Sequence, residues 1–115
     1  MYYKTATGIQ GENEAVHYLK KKGYKILHCN WRQGIAEIDI IAEHKGVTVF
    51  IEVKTRSSLK YGYPSESVMK NQQRRYVLTA QQYIIANRLY NKDIRFDVIE
   101  VLGDEINHIE DAFRA

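Results

Sequence analysis

The sequence predicts an α/β fold, a mixed sheet flanked by helices in the order α-β-β-β-α-β. Three observations carry that expectation. Apolar residues recur at helical spacing in two segments, 8–22 and 67–88. Between them lie three short apolar runs separated by turn formers. A fourth run, Ile94–Val101, follows the second helical segment. Strands separated by a helix are expected to be parallel neighbours with a right-handed crossover, and the first three strands can form an antiparallel meander.

Each element has its own signal. The first helix is expected over Gly8–Lys22, where Ala15, Val16 and Leu19 make an apolar stripe and Gly23 is a stop signal. Tyr24–Trp31, "YKILHCNW", reads as the first strand and Glu37–Ala42 as the second. "EHKG" reads as a turn, and Val47–Thr55 as the third strand. Residues 56–66, "RSSLKYGYPSE", hold the single proline, Pro64, and read as a loop. A long helix is expected from Ser67 to about Arg88, with Gln72, Tyr76, Ala80 and Tyr83 at helical spacing. Ile94–Val101, "IRFDVIEV", is the fourth strand, and "INHIE" makes a short fifth.

The composition excludes several classes. With 115 residues, 44% of them hydrophobic, the chain is expected to be one domain spanning 1–115 with a real core. Charged residues are 27%, near the globular average, which excludes a disordered or fibrous chain. The single Cys29 excludes an internal disulfide and fits a reducing compartment. The N-terminus "MYYKTATGIQGENEA" lacks the apolar stretch of a signal peptide. No apolar run approaches the roughly 20 residues of a membrane span. A soluble cytoplasmic protein without a membrane partner is expected.

The net charge of +3 is modest, but the charges are sorted along the chain. Lys54, Arg56, Lys60, Lys70, Arg74 and Arg75 stand against Glu66 alone, whereas the segment from Asp93 onward is mostly acidic. A basic cluster is what a phosphate-rich partner would meet, and a solvated helix face would carry the same charges.

The third strand, "VTVFIEVKT", raises the functional question. Glu52 and Lys54 interrupt an apolar run, and buried charges are costly unless paired or bound to something. Alternation puts Thr48, Phe50, Glu52 and Lys54 on one face, and Glu37, Asp39 and Ile41 on one face of the second strand. A turn pairing Ala42 with Val47 would set Asp39 opposite Phe50 and Glu37 opposite Glu52. Four charged groups would then converge on one side of the hairpin. Glu12 continues the apolar stripe of the first helix and should point at the sheet; a first-turn Glu favoured by the helix dipole is the plainer account.

Carboxylates gathered in one place repel each other and need a cation to stay ionised together. Oxygen ligands suit Mg²⁺ or Mn²⁺. A lysine beside them can hold a phosphate oxygen, position a water or neutralise developing charge. Asp39, Glu52, Glu12 and Glu37 are therefore the candidate metal ligands. Lys54 is the candidate phosphate-facing residue of a metal-dependent phosphodiesterase.

The residues that follow have two readings. Arg56, Ser57, Ser58, Lys60, Tyr61 and Tyr63 make a basic, aromatic stretch that could grip a backbone phosphate and stack a base, or be an ordinary loop. Lys70 and Arg74 could extend the patch, while Arg75 need not share their face. Trp31 and Arg32 read as structural. Asp97 reads as paired with a neighbouring base, Lys20, Lys21 and Lys22 as a solvated helix end, and Cys29 as a small core residue. His17, His28, His44 and His108 show no metal-ligand spacing.

The chain also resembles the YraN family of small bacterial proteins, described as endonuclease-like, within the PD-(D/E)xK nuclease superfamily. The resemblance runs from "GIQGENEAVHYLKKKGYKIL" through "NWRQGIAEIDIIA", "VFIEVKTRSSLKYGYPSESV" and "QQRRYVLTAQQYI" to "RFDVIEV". It is similar also to archaeal Holliday junction resolvases, which share the helix Glu, the Asp and the Glu-x-Lys. The resemblance implies a restriction-endonuclease-like core. It makes Glu12 a metal-supporting residue, Asp39 and Glu52 metal ligands, and Lys54 the catalytic lysine. Glu37 matches the Glu of a Gly-Glu-x-Asp stretch, with Ala36 where the family usually has Gly. Gln72 stands where the family often has Lys, and many superfamily members use Gln there, so it joins the catalytic set. Resolvase relatives work as dimers because a junction has two strands to cut, so a homodimer is an expectation, although no residue here marks its face.

The leading expectation is a Mg²⁺- or Mn²⁺-dependent endonuclease acting on DNA, with branched or otherwise structured DNA among the substrates that the resolvase likeness implies. The alternative is a nucleic-acid-binding module that keeps the fold without catalysis. A third reading is a protein-interaction adaptor whose acids are remnants.

Overall fold

Two helices and five strands make up the fold in a computed structural model. It describes residues 6–34, 36–56 and 70–114, with side chains over 8–34, 36–56 and 72–114. The expectations placed on Ser57, Ser58, Lys60, Tyr61 and Tyr63, and on the Lys70 side chain, lie outside the described residues.

Helix α1 spans Ala6–Lys21 and buries Ala15 and Leu19 completely. Gly23 ends it. At φ +90° this residue lets its own amide donate to the Lys20 carbonyl and the Tyr24 amide to the Leu19 carbonyl. That is the usual satisfaction of helix-end carbonyls by a left-handed residue.

The strands are β1 (Lys25–Gln33), β2 (Ala36–His44), β3 (Val47–Arg56), β4 (Asp93–Leu102) and β5 (Glu105–Phe113). Helix α2 (Lys70–Ala86) lies between β3 and β4 in the chain. The sheet runs β1-β2-β3-β4-β5, with β3 and β4 parallel and every other pair antiparallel. The expected meander and parallel crossover are thus both present.

Three expectations need correction. The hairpin of β2 and β3 pairs His44 with Val47 and Ile41 with Phe50, not Ala42 with Val47. Its turn has only Lys45 and Gly46 between the strands, at φ 51° and 81°. Positive φ at both positions marks a type I′ turn, whose twist matches that of the strands. The register moves by two residues, so face parity survives near the turn. Secondly, β5 is nine residues long, not a short strand. A register irregularity lies between Phe96 and Val98, opposite the stretch holding Asp111 at φ 53°, and hides the alternation. Thirdly, Cys29 is exposed, because β1 is an edge strand.

Each sheet face carries its own core. On one face Ala15 and Leu19 of α1 pack with Ile40, Val49, Ile51 and Ile99. On the other, Tyr76, Ala80 and Tyr83 of α2 pack with Ile38, Ile41, Phe50 and Phe96. Ile38 and Ile41 belong to one face although strict alternation would separate them. The alternation of β2 therefore breaks between these two residues, beside Asp39.

Candidate functional site

The break in β2 coincides with a split in the sheet. Pairing of β2 with β3 ends at Ile40 and Ile51. Beyond that point β2 stays with β1 as far as Ala36, and β3 stays with β4 as far as Arg56. The two halves of the sheet part there, leaving backbone groups that must find partners.

Side chains fill the gap. Asp39 turns its carboxylate across it, and Oδ2 accepts the Val53 amide at 2.9 Å. The Tyr76 hydroxyl, arriving from α2, donates to the Ile51 carbonyl at 2.5 Å and accepts the Asp39 amide at 3.4 Å. Burial first, and then the negative charges of Asp39 and Glu52, hold the Tyr76 pKa well above the ordinary tyrosine value. The phenol is therefore protonated at any physiological pH and remains a donor.

Three acids gather at this point. Carboxylate oxygens of Glu12, Glu37 and Asp39 lie within 4.8 Å of one another. Glu12 reaches the cluster because α1 lies close over β3 there. A Cβ added at Gly11 would overlap Thr55 Oγ1, so only glycine allows this approach. Glu37 is half-buried and also accepts Arg32 Nε at 3.0 Å across the β1–β2 ladder.

Glu52 and Lys54 flank Val53, whose amide Asp39 holds. They are paired with each other, Nζ to Oε1 at 3.0 Å, with side chains 16% and 18% exposed. Val47, Val49, Ile51 and Val53 pack toward α1. Alternation therefore gives Glu52 and Lys54 the Phe50 face, toward α2. Glu52 is not one of the three mutually close acids. Buried Glu100 stands in register with Lys54 on β4, with Oε1 accepting from Asn107 Nδ2 at 2.6 Å. Its buried Oε2 has no hydrogen-bond partner among the described residues.

So the described residues bring Glu12, Glu37 and Asp39 into one cluster, with the Glu52–Lys54 pair beside it on the neighbouring strand. Gln72 is exposed at the start of α2, one turn before Tyr76. Arg56 is half-buried at the end of β3, and Arg74 and Arg75 are exposed on α2. Sequence reasoning missed Tyr76 and Arg32 as neighbours of the acids. Tyr76 carried a signal, since a tyrosine on a buried helix stripe needs a partner for its hydroxyl. Arg32 carried none without the β1–β2 register.

A second group, Asp97, His108 and Glu110, also has ligand atoms within 4.8 Å of one another. The histidine spacing did not announce it, because the packing of β5 on β4 creates it. Asp97 is fully buried and saturated with donors. Oδ1 takes Arg95 Nε at 2.8 Å and the Asp111 amide at 3.0 Å. Oδ2 takes Arg95 Nη2 at 2.8 Å and lies 2.6 Å from His108 Nε2. Burial alone would raise the Asp97 pKa, but the bonds from His108, Arg95 and Asp111 outweigh it and leave the carboxyl below its usual value. Tyr18 reaches His108 Nδ1 at 3.1 Å, and Arg95 Nη2 donates to Tyr24 at 2.8 Å. This is a structural knot joining α1, β4 and β5.

The fold and the cluster define a class: a small α/β protein with a nuclease-like α-β-β-β-α-β core, whose acids collect where two central strands part. The model of the family described as Uncharacterised protein family UPF0102 matches residues 11–101. A UPF0102 protein of Alkaliphilus oremlandii is 52% identical over 112 residues, covering 92% of this chain and 96% of that protein. One from Clostridioides difficile is 52% identical over 105 residues, covering 90% and 92%. One from Persephonella marina is 43% identical over 106 residues, covering 92% and 91%. The chain belongs to the UPF0102 family, also called the YraN family.

Proposed function

We propose that this chain is a metal-dependent endonuclease acting on DNA. The observation that carries the reading is the gathering of Glu12, Glu37 and Asp39 at the β2–β3 split, beside Glu52 and Lys54. The donor set fits the ion. Neighbouring oxygens around Mg²⁺ stand about 3 Å apart and opposite ones about 4 Å, so three oxygens within 4.8 Å of one another would draw together on binding it. Arg32 already pairs with Glu37, and a bound cation would further relieve the repulsion among the clustered carboxylates.

Asp39 and Glu12 would hold the ion, with Glu37 supporting them once it gives up part of its contact with Arg32. Glu52 would join them on release from Lys54. The bound ion supplies polarisation of the phosphodiester and a lowered pKa for a water. Lys54, freed from Glu52, would hold a phosphate oxygen and offset the charge that grows during attack. Gln72, exposed near the start of α2, would help to orient the water. Arg56, Ser57, Lys60, Tyr61, Lys70 and Arg74 would supply backbone contacts and stacking.

A second reading has its own observation. Lys54 and Arg32 already neutralise Glu52 and Glu37 within the chain. A nucleic-acid-binding module that no longer cuts would look the same. The two separate by incubation with Mg²⁺ or Mn²⁺ on linear, flapped, branched and single-stranded DNA. Endonuclease activity predicts metal-dependent cleavage of at least one substrate, lost in Asp39→Ala. Salt-sensitive binding without cleavage of any substrate would leave the module reading standing and remove the enzyme.

A further inference from the structure

We infer that Tyr76 is a positioning residue whose hydroxyl keeps β2 and β3 apart beyond Ile40 and Ile51 and so sets Asp39 into the acidic cluster. The metal consequence rests on the proposed function; the positioning of Asp39 does not.

Where the ladder stops, the Tyr76 hydroxyl stands between the Asp39 amide and the Ile51 carbonyl. One hydroxyl serves both, accepting from the amide at 3.4 Å and donating to the carbonyl at 2.5 Å. It is a wedge as well as a bridge. If the ladder ran one step further in the same register, Asp39 would face Glu52, setting two carboxylates against each other. Asp39 instead lies across the gap on the Val53 amide.

The hydroxyl cannot drift, because the ring is fixed. Tyr76 is 6% exposed within the α2-side core and meets Phe113 edge-on, with ring centroids 6.0 Å apart. Gln72 stands four residues earlier on the same helix, so α2 can present one side chain into the split and another near its rim.

Tyr76→Phe keeps the ring and removes the hydroxyl's bonds to the Asp39 amide and the Ile51 carbonyl. Two readouts test the inference. By NMR amide exchange, Val53 should exchange about tenfold faster in Tyr76→Phe while the Val49 and Ile99 amides keep wild-type rates. Unchanged Val53 exchange overturns the inference. By calorimetry, Mn²⁺ affinity should fall about tenfold while the melting profile stays cooperative. Wild-type affinity in Tyr76→Phe overturns it too. If the wild-type protein binds no Mn²⁺, the endonuclease reading fails, and Val53 exchange still decides the role of Tyr76. If Tyr76→Phe does not fold, the wild type supplies the answer. The Tyr76 hydroxyl proton should appear as a slowly exchanging resonance with a nuclear Overhauser contact to the Asp39 amide proton, and its absence overturns the inference.

Discussion

At the scale of single residues, two carboxylates placed on different strands meet opposite fates. Asp97 is enclosed by donors, whereas Asp39 shares its surroundings with other acids. The first is a stability device. Removing one partner of a buried, hydrogen-bonded ion pair costs several kcal/mol, so Asp97→Asn should lose about 3 kcal/mol in urea unfolding. The pH dependence has a definite sign. The Asp97 carboxyl is lowered in the folded protein, so its contribution is complete above the unfolded pKa near ~4 and disappears as pH falls through the lower folded value. Wild type should weaken steeply below about pH 4, and Asp97→Asn should show a shallower slope there. An equal slope in both proteins would show that Asp97 is not the group responsible. The pairing of Asp97 was legible from "RFD", where Arg95 stands two residues away on the same face of a strand. His108 as its other partner was not, because that contact needs the β4–β5 pairing.

At the scale of elements, the close seat of α1 on β3 positions the acids. Gly11 makes it possible, and the sequence offered Gly11 only as a glycine inside a helix. Two effects oppose each other in Gly11→Ala. Alanine gains roughly 1 kcal/mol of helix propensity. Its methyl would also overlap Thr55 Oγ1, with Thr55 Cβ and Cγ2 at 3.2 and 3.3 Å, a branched side chain with little room to turn. Overpacking typically costs about 1–3 kcal/mol, so the clash should win or at least cancel the gain. Thermal unfolding should show no stabilisation, and Mn²⁺ binding should weaken as α1 lifts and Glu12 withdraws. A more stable variant with unchanged Mn²⁺ binding would mean that the contact does not position Glu12. The elements themselves were readable, since each has its own period and punctuation. The hairpin register was not, because "EHKG" allows turns of several lengths and Lys45 gives little sign of adopting a positive φ.

At the scale of the whole molecule, a parallel β3–β4 pair with antiparallel strands on both sides leaves the centre of the sheet well tied and lets β2 part from β3 at one end only. Residues distant in sequence meet there: Glu12 from α1, Asp39 from β2, the Val53 amide from β3 and Tyr76 from α2. Glu37, Asp39, Glu52 and Lys54 stood out as charges on apolar strands and Glu12 as a charge on the apolar stripe of α1, whereas the structure groups Glu12, Glu37 and Asp39 and pairs Glu52 with Lys54. The split that gathers them was not legible, because it depends on where pairing stops. No described helix is long and apolar enough to cross a membrane. The proposed endonuclease depends on a divalent cation held by the acids at the split. Isothermal titration with Mn²⁺ on wild type and on Asp39→Ala combined with Glu52→Ala tests it most directly. Saturable binding by wild type and none by the double variant is expected; equal binding by both, or no binding by wild type, would overturn the proposed metal site.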